Sequence, residues 1–212
     1  MFVDYFNGKY NTFGPYKIGK DIDDVICINL DSRKDRLEHM FQLVKKYGLH
    51  IKFYHPTKNE ANPKIGCRDS HQTIIQYAKN KGLKNILILE DDIDFLSPPN
   101  QLSILPEEYD LLFFGGIPIR KLIGNIGLWQ RWSIWCAHAY IVNCHMYNKI
   151  LEYNGETIDW FYNNHSEQEN SKVYMQFPMS IYQIDSISDL DNKNKWTKEK
   201  WEALNRLENI SI

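Results

Sequence analysis

The chain has 212 residues, of which 43% are hydrophobic and 14% aromatic, and its formal net charge is −2. This length supports one domain with a substantial core, while the lack of a long basic run argues against a surface that tracks nucleic-acid phosphates. No stretch approaches the roughly 20 apolar residues of a membrane span, and the opening MFVDYFNGKYNTF lacks the basic start and apolar centre of a secretory signal. We therefore expect a cytoplasmic protein with no nucleic-acid partner and no membrane span.

The predicted elements alternate between strands and helices. Residues 1–20, rich in Gly, Asn and Tyr, are predicted to form an irregular arm ahead of a single domain over residues 21–212. That domain begins with a buried strand, DDVICINL, and an amphipathic helix within SRKDRLEHMFQLVKKYGL, which Ser32 can cap and Gly48 can end. The elements that follow are a strand (IKFYHPTK), a helix (CRDSHQTIIQYAKNKGL), three strands (NILILEDD, YDLLFFGGI and WCAHAYIVN), a helix from Cys144 to Tyr153, two short strands within VYMQFPMSIYQ, and a polar helix from Asn194 onward. This alternation predicts an α/β fold with a layered sheet.

The four cysteines contain no CxxC pair and lie in or beside apolar stretches. They are Cys27, Cys67, Cys136 and Cys144. Such settings favour buried, reduced thiols over disulfides.

Four carboxylates follow the apolar strand in NILILEDDIDF, namely Glu90, Asp91, Asp92 and Asp94. Because like charges this close repel one another, such a cluster needs a counter-charge or open water. Strand side chains alternate, so Glu90, Asp92 and Asp94 can face one side together. Hard oxygen ligands of this kind favour Mg²⁺ or Mn²⁺ over Zn²⁺. The alternative is a solvated acidic turn.

Polar clusters follow three of the predicted strands, at NLDSRKDR, LEDDID and FGGIPIR. Ligands of open α/β sheets bind outside the carboxyl ends of the strands, so we expect the carboxylates to share a crevice with Arg33 and Arg36. Cations and carboxylates together suit an anionic, metal-bound substrate such as a nucleoside diphosphate. The two arginines could equally form the exposed face of the first helix.

The segment RKLIGNIGLWQRWSIW places Trp129, Trp132 and Trp135 three residues apart. This spacing is compatible with the core stripe of a helix. It is also compatible with a mobile lid or an acceptor platform, because sugars stack on aromatic rings and because Gly124 and Gly127 would allow movement.

Three motifs, CINLDSRKDRLEHM, GCRDSHQTII and LILEDDIDF, resemble the opening motifs of glycosyltransferase family 25, the lipooligosaccharide and collagen galactosyltransferases. The later segments HAYIVN, IDWFY and YQIDSISDL continue the likeness, so that it extends over about residues 23–190. The resemblance implies a GT-A type fold, with a mixed, mostly parallel sheet flanked by helices. It further implies a UDP-sugar donor, Mn²⁺ or Mg²⁺ as cofactor, and inverting transfer of a hexose such as galactose or glucose to a hydroxyl of a glycan or glycosylated protein.

Inversion requires two acidic sites, because the acceptor hydroxyl attacks from the side opposite the diphosphate. One site holds the metal that stabilises the departing diphosphate, and the other is the general base. With the resemblance, Asp92 is predicted as the principal metal ligand, with Asp94 or Glu90 as the second. The predicted nucleotide-sugar-binding residues are Asn29, Arg33, Arg36, Ser70, His71, Glu90, Asp91 and Gln183.

The predicted general base is Asp159 in ETIDWFYNN, since the neighbouring Trp160 and Phe161 can exclude water and raise the pKa of a carboxylate. The alternative is that Asp159 caps a short helix. Glu167 and Glu169 are rival bases.

Several further assignments stay open at this stage. Asn29 could cap a turn instead of contacting a ligand, and His71 could be a packed core histidine. His138 could be a core residue or a site contact, and Gln183 with Asp185 could add a late metal or phosphate contact.

Two other classes of function compete with a transferase. A catalytically inactive nucleotide-sugar or carbohydrate-binding protein of the same fold would bind the donor without turnover. A phosphotransfer or receiver-type domain would need a Lys at a later strand end, where LLFFGG and AYIVNC end in Gly and Asn instead.

Overall fold

The computed structural model describes residues 1–5, 12–13, 16–17, 21–99, 104–184 and 197–206. Within these ranges the strands are β1 (Phe2–Val3), β2 (Thr12–Phe13), β3 (Tyr16–Lys17), β4 (Val25–Ile28), β5 (Lys52–Tyr54), β6 (Asn85–Glu90), β7 (Ile93–Phe95), β8 (Leu111–Ile126), β9 (Trp129–Asn143), β10 (Val173–Gln176) and β11 (Ile181–Gln183). The helices are α1 (Lys34–Tyr47), α2 (Pro63–Lys81), α3 (Tyr147–Leu151), α4 (Ile158–Ser166) and α5 (Lys198–Asn205), with a 3₁₀ turn at Cys144–Met146.

A seven-stranded mixed sheet forms the centre of the molecule, in the order β1-β5-β4-β6-β9-β10-β8. Strands β4, β5, β6, β8 and β10 run in one direction, and β1 and β9 run in the other. Two small sheets pair β7 with β11 and β2 with β3. The predicted α/β class, with a mostly parallel sheet flanked by helices, is confirmed.

Apolar layers cover both faces of the central sheet. In β6, Leu87 and Leu89 point into the layer that packs under α1, whereas Ile86 and Ile88 point into the layer that packs under α2. Successive side chains of a strand face opposite ways, so a strand covered on both faces reads as a continuous apolar run. This explains why ILIL precedes the carboxylates without alternating polar residues.

The first two helices end where the sequence predicts but begin elsewhere. Gly48 and Gly82 both adopt left-handed C-cap conformations, with φ of 64° and 66°. The N-cap of α1 is Arg33 and not the predicted Ser32, and no side-chain cap bond forms there. Helix α2 starts at Pro63, ahead of the predicted Cys67, because the Asn62 side chain accepts a hydrogen bond from the backbone N–H of Ile65.

The segment that contains the three tryptophans is not helical. Strands β8 and β9 pair as a long antiparallel hairpin, whose turn includes Gly127 at a φ of 60°. Trp129 is buried against Phe114, and Trp132 stacks on Phe177. The interpretation as a helical core stripe is therefore wrong, because cross-strand pairing with β8 determines the conformation. The lid interpretation stays a prediction.

The chain termini differ in part from the predicted arm and helix. Strand β1 pairs with β5 and so adds an edge strand to the central sheet, within the predicted irregular arm. Helix α5 begins at Lys198 and buries Trp201, whereas Asn194 lies outside the described residues. No helix in the described ranges is long and apolar enough to cross a membrane.

The four cysteines all lie in described parts of the chain, and no disulfide joins them. Cys27 is buried, and Cys67 and Cys136 are half-buried. Cys144 is exposed at the 3₁₀ turn, so the expectation that all four thiols are buried is wrong there.

Candidate active site

Two sequence motifs meet at the carboxyl edge of the sheet because β4 and β6 are parallel neighbours. Ile28 pairs in register with Glu90, so the residues that follow both strands leave the sheet side by side. There the Asn29 side-chain amide donates to the Asp91 carboxylate at 2.8 Å. The same amide donates to the Arg33 carbonyl at 3.0 Å, which ties the start of α1 to the strand end.

Arg36 supplies a buried counter-charge to this edge. Its Nη1 lies 2.8 Å from Asp91 Oδ1 and 3.1 Å from Asp92 Oδ2. Arg36 and Asp91 are almost fully buried, and Asp92 is completely buried. Burial and the adjacent Asp92 carboxylate raise the pKa of Asp91 to about 6, although Arg36 and Asn29 oppose this increase. Glu90 adds a third carboxylate at the same strand end, so the acidic groups there outnumber the one guanidinium that contacts Asp91 and Asp92.

Gln183 joins the carboxylates from the small β7–β11 sheet. Its Nε2 lies 2.9 Å from Glu90 Oε2 and 3.3 Å from Asp92 Oδ1. Strand β11 can approach this closely because Gly115 lies below it: a Cβ at that position would be 1.9 Å from the Ile181 carbonyl oxygen. Gly115, the first glycine of FGGI, therefore leaves room for the strand that carries Gln183.

His71 approaches Glu90 from the opposite side, on helix α2. Its Nε2 lies 3.6 Å from Glu90 Oε1, and its Nδ1 lies 2.6 Å from the Tyr140 hydroxyl. The Tyr162 hydroxyl in turn donates to that of Tyr140 at 2.9 Å. The ligand atoms of Cys67, His71 and Glu90 all lie within 4.8 Å of one another. The sequence analysis assigned no role to Cys67, although its i, i+4 spacing from His71 was available as a signal.

Three predicted site residues make local contacts instead of joining this group. Ser70 Oγ donates to the Gly66 carbonyl within α2 at 2.7 Å. Arg33 pairs with Asp35 at 2.9 Å, and its hydrogen bonds lower the pKa of Asp35 to about 2. Asp94 Oδ1 accepts from the Phe95 N–H at 2.7 Å.

Asp159 lies in the first turn of α4, where Thr157 holds the N-cap. The alternative that Asp159 is the cap is therefore wrong. Asp159 Oδ1 instead accepts the Ala137 N–H at 2.9 Å. Since β9 runs antiparallel to β6 with Ala139 opposite Leu89, Ala137, two residues earlier in β9, lies toward the edge that bears Glu90. Asp159 therefore lies on the side of the carboxylate group.

A distortion of β9 accompanies this contact. The pairing of β8 with β9 shifts register between Gly115 and Ile117, and Cys136 adopts a φ of 69°. A non-glycine residue in the left-handed region costs on the order of 1–3 kcal/mol, and such strain clusters at functional sites. Bulges of this kind redirect side chains and backbone groups.

Four further candidates complete the set that the sequence suggested. Glu167 pairs with Arg120 of the hairpin at 3.3 Å. Glu169 is exposed after the end of α4. His138 is buried with its ring against Trp201. Asp185 lies outside the described residues.

Comparison with known proteins reveals a likeness of structure without one of sequence. Neither a protein-family model nor a curated protein sequence matches the chain, so the resemblance to family 25 has no support from those comparisons. The catalytic domain of Drosophila β1,4-galactosyltransferase 7 in complex with xylobiose aligns with a TM-score of 0.50 and 12% identity, over 89% of this chain and 82% of that one. A mutant of the same enzyme in complex with manganese, UDP-Gal and xylobiose aligns with a TM-score of 0.49 and 12% identity, over 89% and 82%.

A third solved structure is more distant. It is a glycosyltransferase involved in glycosylation of the major capsid of PBCV-1, with a TM-score of 0.37 and 13% identity over 60% of this chain and 63% of that one. At such identities the likeness concerns the fold alone. The chain therefore has a GT-A type fold, and Glu90, Asp91 and Asp92 lie at the carboxyl edge of its sheet.

Proposed function

We propose that the protein is a metal-dependent, inverting glycosyltransferase that moves a hexose from a UDP-sugar to a hydroxyl of a glycan or glycosylated protein. The observation that carries this proposal is the convergence of Asn29, Arg36, Asp91, Asp92 and Gln183 with Glu90 at the carboxyl edge of a GT-A fold. The motifs that resemble family 25 support a hexose as the transferred sugar and a UDP-sugar as the donor. The glycan acceptor is supported by the galactosyltransferase of similar fold, whose structure contains xylobiose.

The carboxylates fit a hard divalent cation such as Mn²⁺ or Mg²⁺. Glu90 and Asp92 both accept hydrogen bonds from the Gln183 amide, and carboxylate oxygens are the ligands that such ions prefer. Asp94 is the weaker second ligand, because its carboxylate is engaged with Phe95 N–H. Asp92 is fully buried while the Glu90 side chain is 25% exposed, so of these two ligands Glu90 is the one in contact with solvent. When bound, the metal would stabilise the negative charge of the departing diphosphate.

The protein's own residues would act on two sides of the bound donor: some would position the carboxylates beside the diphosphate, and another would act as the base on the acceptor side. Asn29 and Arg36 hold Asp91 and Asp92 in place by direct hydrogen bonds. On the acceptor side, the Asp159 carboxylate would take the proton of the attacking hydroxyl as the new glycosidic bond forms and the bond from the sugar to the diphosphate breaks. The Ala137 N–H fixes one oxygen of that carboxylate.

An aromatic surface beside Asp159 suits the acceptor sugar. Trp160 follows Asp159 directly and is 51% exposed. Its ring meets that of Trp135 edge-on, with centroids 5.0 Å apart. Sugars stack their C–H faces on such rings, so this pair would hold the acceptor near the base.

The first test is a panel of UDP-sugars incubated with the protein and Mn²⁺, with release of UDP as the readout. We expect one hexose donor to be hydrolysed faster than the others, and faster still when an acceptor glycan is present. Failure to release UDP from any donor would contradict the proposal.

One observation favours the alternative of a binding protein without turnover. Arg36 already neutralises part of the charge on Asp91 and Asp92, and Asp92 is shut off from solvent. That alternative predicts that a UDP-sugar binds in a calorimeter while no UDP is released over hours.

A further inference from the structure

A mixed set of metal-ligating side chains lies beside the carboxylate group, and we call it the thiol–imidazole pocket: Cys67, His71 and Glu90. Their ligand atoms lie within 4.8 Å of one another, and His71 Nε2 is 3.6 Å from Glu90 Oε1. His71 is almost fully buried, whereas Cys67 and Glu90 are half-buried. The three side chains therefore lie at the boundary between the protein interior and the surface.

Local structure brings these three side chains together without strain. Cys67 and His71 are four residues apart on α2, so they lie one turn apart on the same face. Glu90 is the last residue of β6, and its two carboxylate oxygens face different partners. Oε2 lies 2.9 Å from Gln183 and belongs to the proposed donor site, while Oε1 faces His71.

The imidazole is held in the orientation that a metal ligand needs. Its Nδ1 is 2.6 Å from the buried Tyr140 hydroxyl, which Tyr162 supports in turn. In the tautomer that carries its proton on Nδ1, that N–H donates to the Tyr140 oxygen and Nε2 presents its lone pair on the side of Glu90. Histidine ligands in metal sites are oriented in the same way by a partner on the other ring nitrogen.

The donor chemistry selects the ion. A thiolate, an imidazole and a carboxylate suit Zn²⁺ or Co²⁺, whereas Mn²⁺ and Mg²⁺ prefer oxygen ligands alone. Zn–S and Zn–N bonds of about 2.3 and 2.0 Å would bring the ligand atoms to about 3.5 Å from one another. We propose that the thiol–imidazole pocket binds Zn²⁺ through Cys67 Sγ, His71 Nε2 and the Glu90 carboxylate, with water in the fourth position.

The inference goes beyond the proposed glycosyl transfer and does not depend on it. Its test uses Co²⁺ as a spectroscopic probe, titrated into the full, metal-free chain. We expect a sulfur-to-cobalt charge-transfer band that Zn²⁺ abolishes by displacement. The band should be lost in Cys67→Ser and retained in Cys144→Ser, since Cys144 is an exposed thiol outside the pocket. A wild-type protein without the band, or a Cys67→Ser variant that keeps it, would overturn the proposal.

A second variant tests the support of His71. Tyr140→Phe removes the hydroxyl that holds Nδ1 but leaves all three ligands, so the band should persist with metal affinity reduced roughly 10- to 100-fold. Unchanged affinity would exclude the assigned orientation of His71.

Thiol protection provides a readout that needs no variant. Zn²⁺ should slow alkylation of Cys67 in the intact wild-type chain, measured by peptide mass spectrometry, and should leave Cys144 unaffected. Equal alkylation of Cys67 with and without Zn²⁺ would count against the pocket even if Cys67→Ser failed to fold. Because cobalt spectra and UDP release are separate measurements, either proposal can fail while the other stands.

Discussion

The proposed function gives the carboxylates at the sheet edge different roles, and their surroundings differ accordingly. Asp91 and Asp92 are buried and held by Arg36. Asp159 Oδ1 accepts a hydrogen bond from the Ala137 N–H, and Asp159 directly precedes the exposed Trp160. A base must exchange protons with a substrate, whereas a buried carboxylate in an ion pair is poorly placed to do so.

We expect Asp159→Asn to lower kcat by roughly 10²- to 10⁴-fold, the usual contribution of a general base. The amide retains the shape and can still accept the Ala137 N–H, so the affinities for UDP-sugar and Mn²⁺ should stay close to those of the wild type. Steady-state kinetics and calorimetry separate the two effects. Glu167→Gln is the matched control and should leave kcat unchanged, because the Glu167 side chain is 43% exposed and pairs with Arg120 of the hairpin. A near-normal rate for Asp159→Asn would remove it as the base.

The two arginines of the first helix allow a paired test of stability. Arg36→Met should reduce the free energy of unfolding by about 3–5 kcal/mol, because it leaves two buried carboxylates without their cation. Arg33→Met should cost at most about 1 kcal/mol, since its partner Asp35 has a side chain 66% exposed. Urea denaturation measures both variants. Equal losses would mean that the buried pair contributes no more than a surface pair.

At the scale of whole elements, Asp110 ties together three segments at the opposite end of the sheet. It precedes β8 and accepts hydrogen bonds from His145 of the 3₁₀ turn at 2.7 Å, His165 of α4 at 2.8 Å and the Lys172 N–H before β10 at 3.0 Å. Burial alone would raise the pKa of Asp110, but these hydrogen bonds hold it well below its ordinary range.

This arrangement predicts an acid-sensitive contribution to stability. A carboxylate with a lowered pKa in the folded state stabilises the protein above its unfolded-state pKa, near 3.9, and the contribution is lost as pH falls from there toward the folded-state value. We expect Asp110→Asn to be less stable than wild type at pH 6 by on the order of 1–3 kcal/mol, with the gap closing below about pH 4. Denaturant unfolding at several pH values measures it, and a gap that widens in acid would refute the assignment.

The elements also show what the sequence can and cannot predict. Strands β4 and β6 and the C-caps of α1 and α2 follow from local patterns, namely β-branched runs and glycines in left-handed positions. The β8–β9 hairpin does not, since tryptophans three residues apart fit a helix until the pairing partner is known.

The same distinction applies to the site. Glu90, Asp91, Asp92 and Asn29 were predictable because strand ends share one edge of a parallel sheet. The orientation of Ser70 and Asp94 was not, because each has a nearby backbone partner that only the local geometry reveals. Cys67 meets Glu90 only through the packing of α2 against the sheet.

At the scale of the whole molecule, ligand binding should be visible as a shift of the unfolding equilibrium. A ligand that binds only the folded state stabilises it by about 2.7 kcal/mol at a concentration of 100 Kd. We expect Mn²⁺ and UDP together to raise the thermal midpoint of the metal-free protein more than either alone. Asp92→Ala should abolish that joint increase, and Asp94→Ala should reduce it less. Equal increases in EDTA and in Mn²⁺ would show that UDP binding needs no metal.

The in-register pairing of β4 with β6 has a consequence for how this chain can change over time. Inserting or deleting one residue in either strand would turn its side chains to the opposite face and separate Asn29 from Asp91. The short segment from β4 to α1 carries Asn29 itself and is equally restricted, whereas the loop between β5 and α2 can vary in length more freely. The register of these two strand ends is therefore the feature of this chain that tolerates a change of length least.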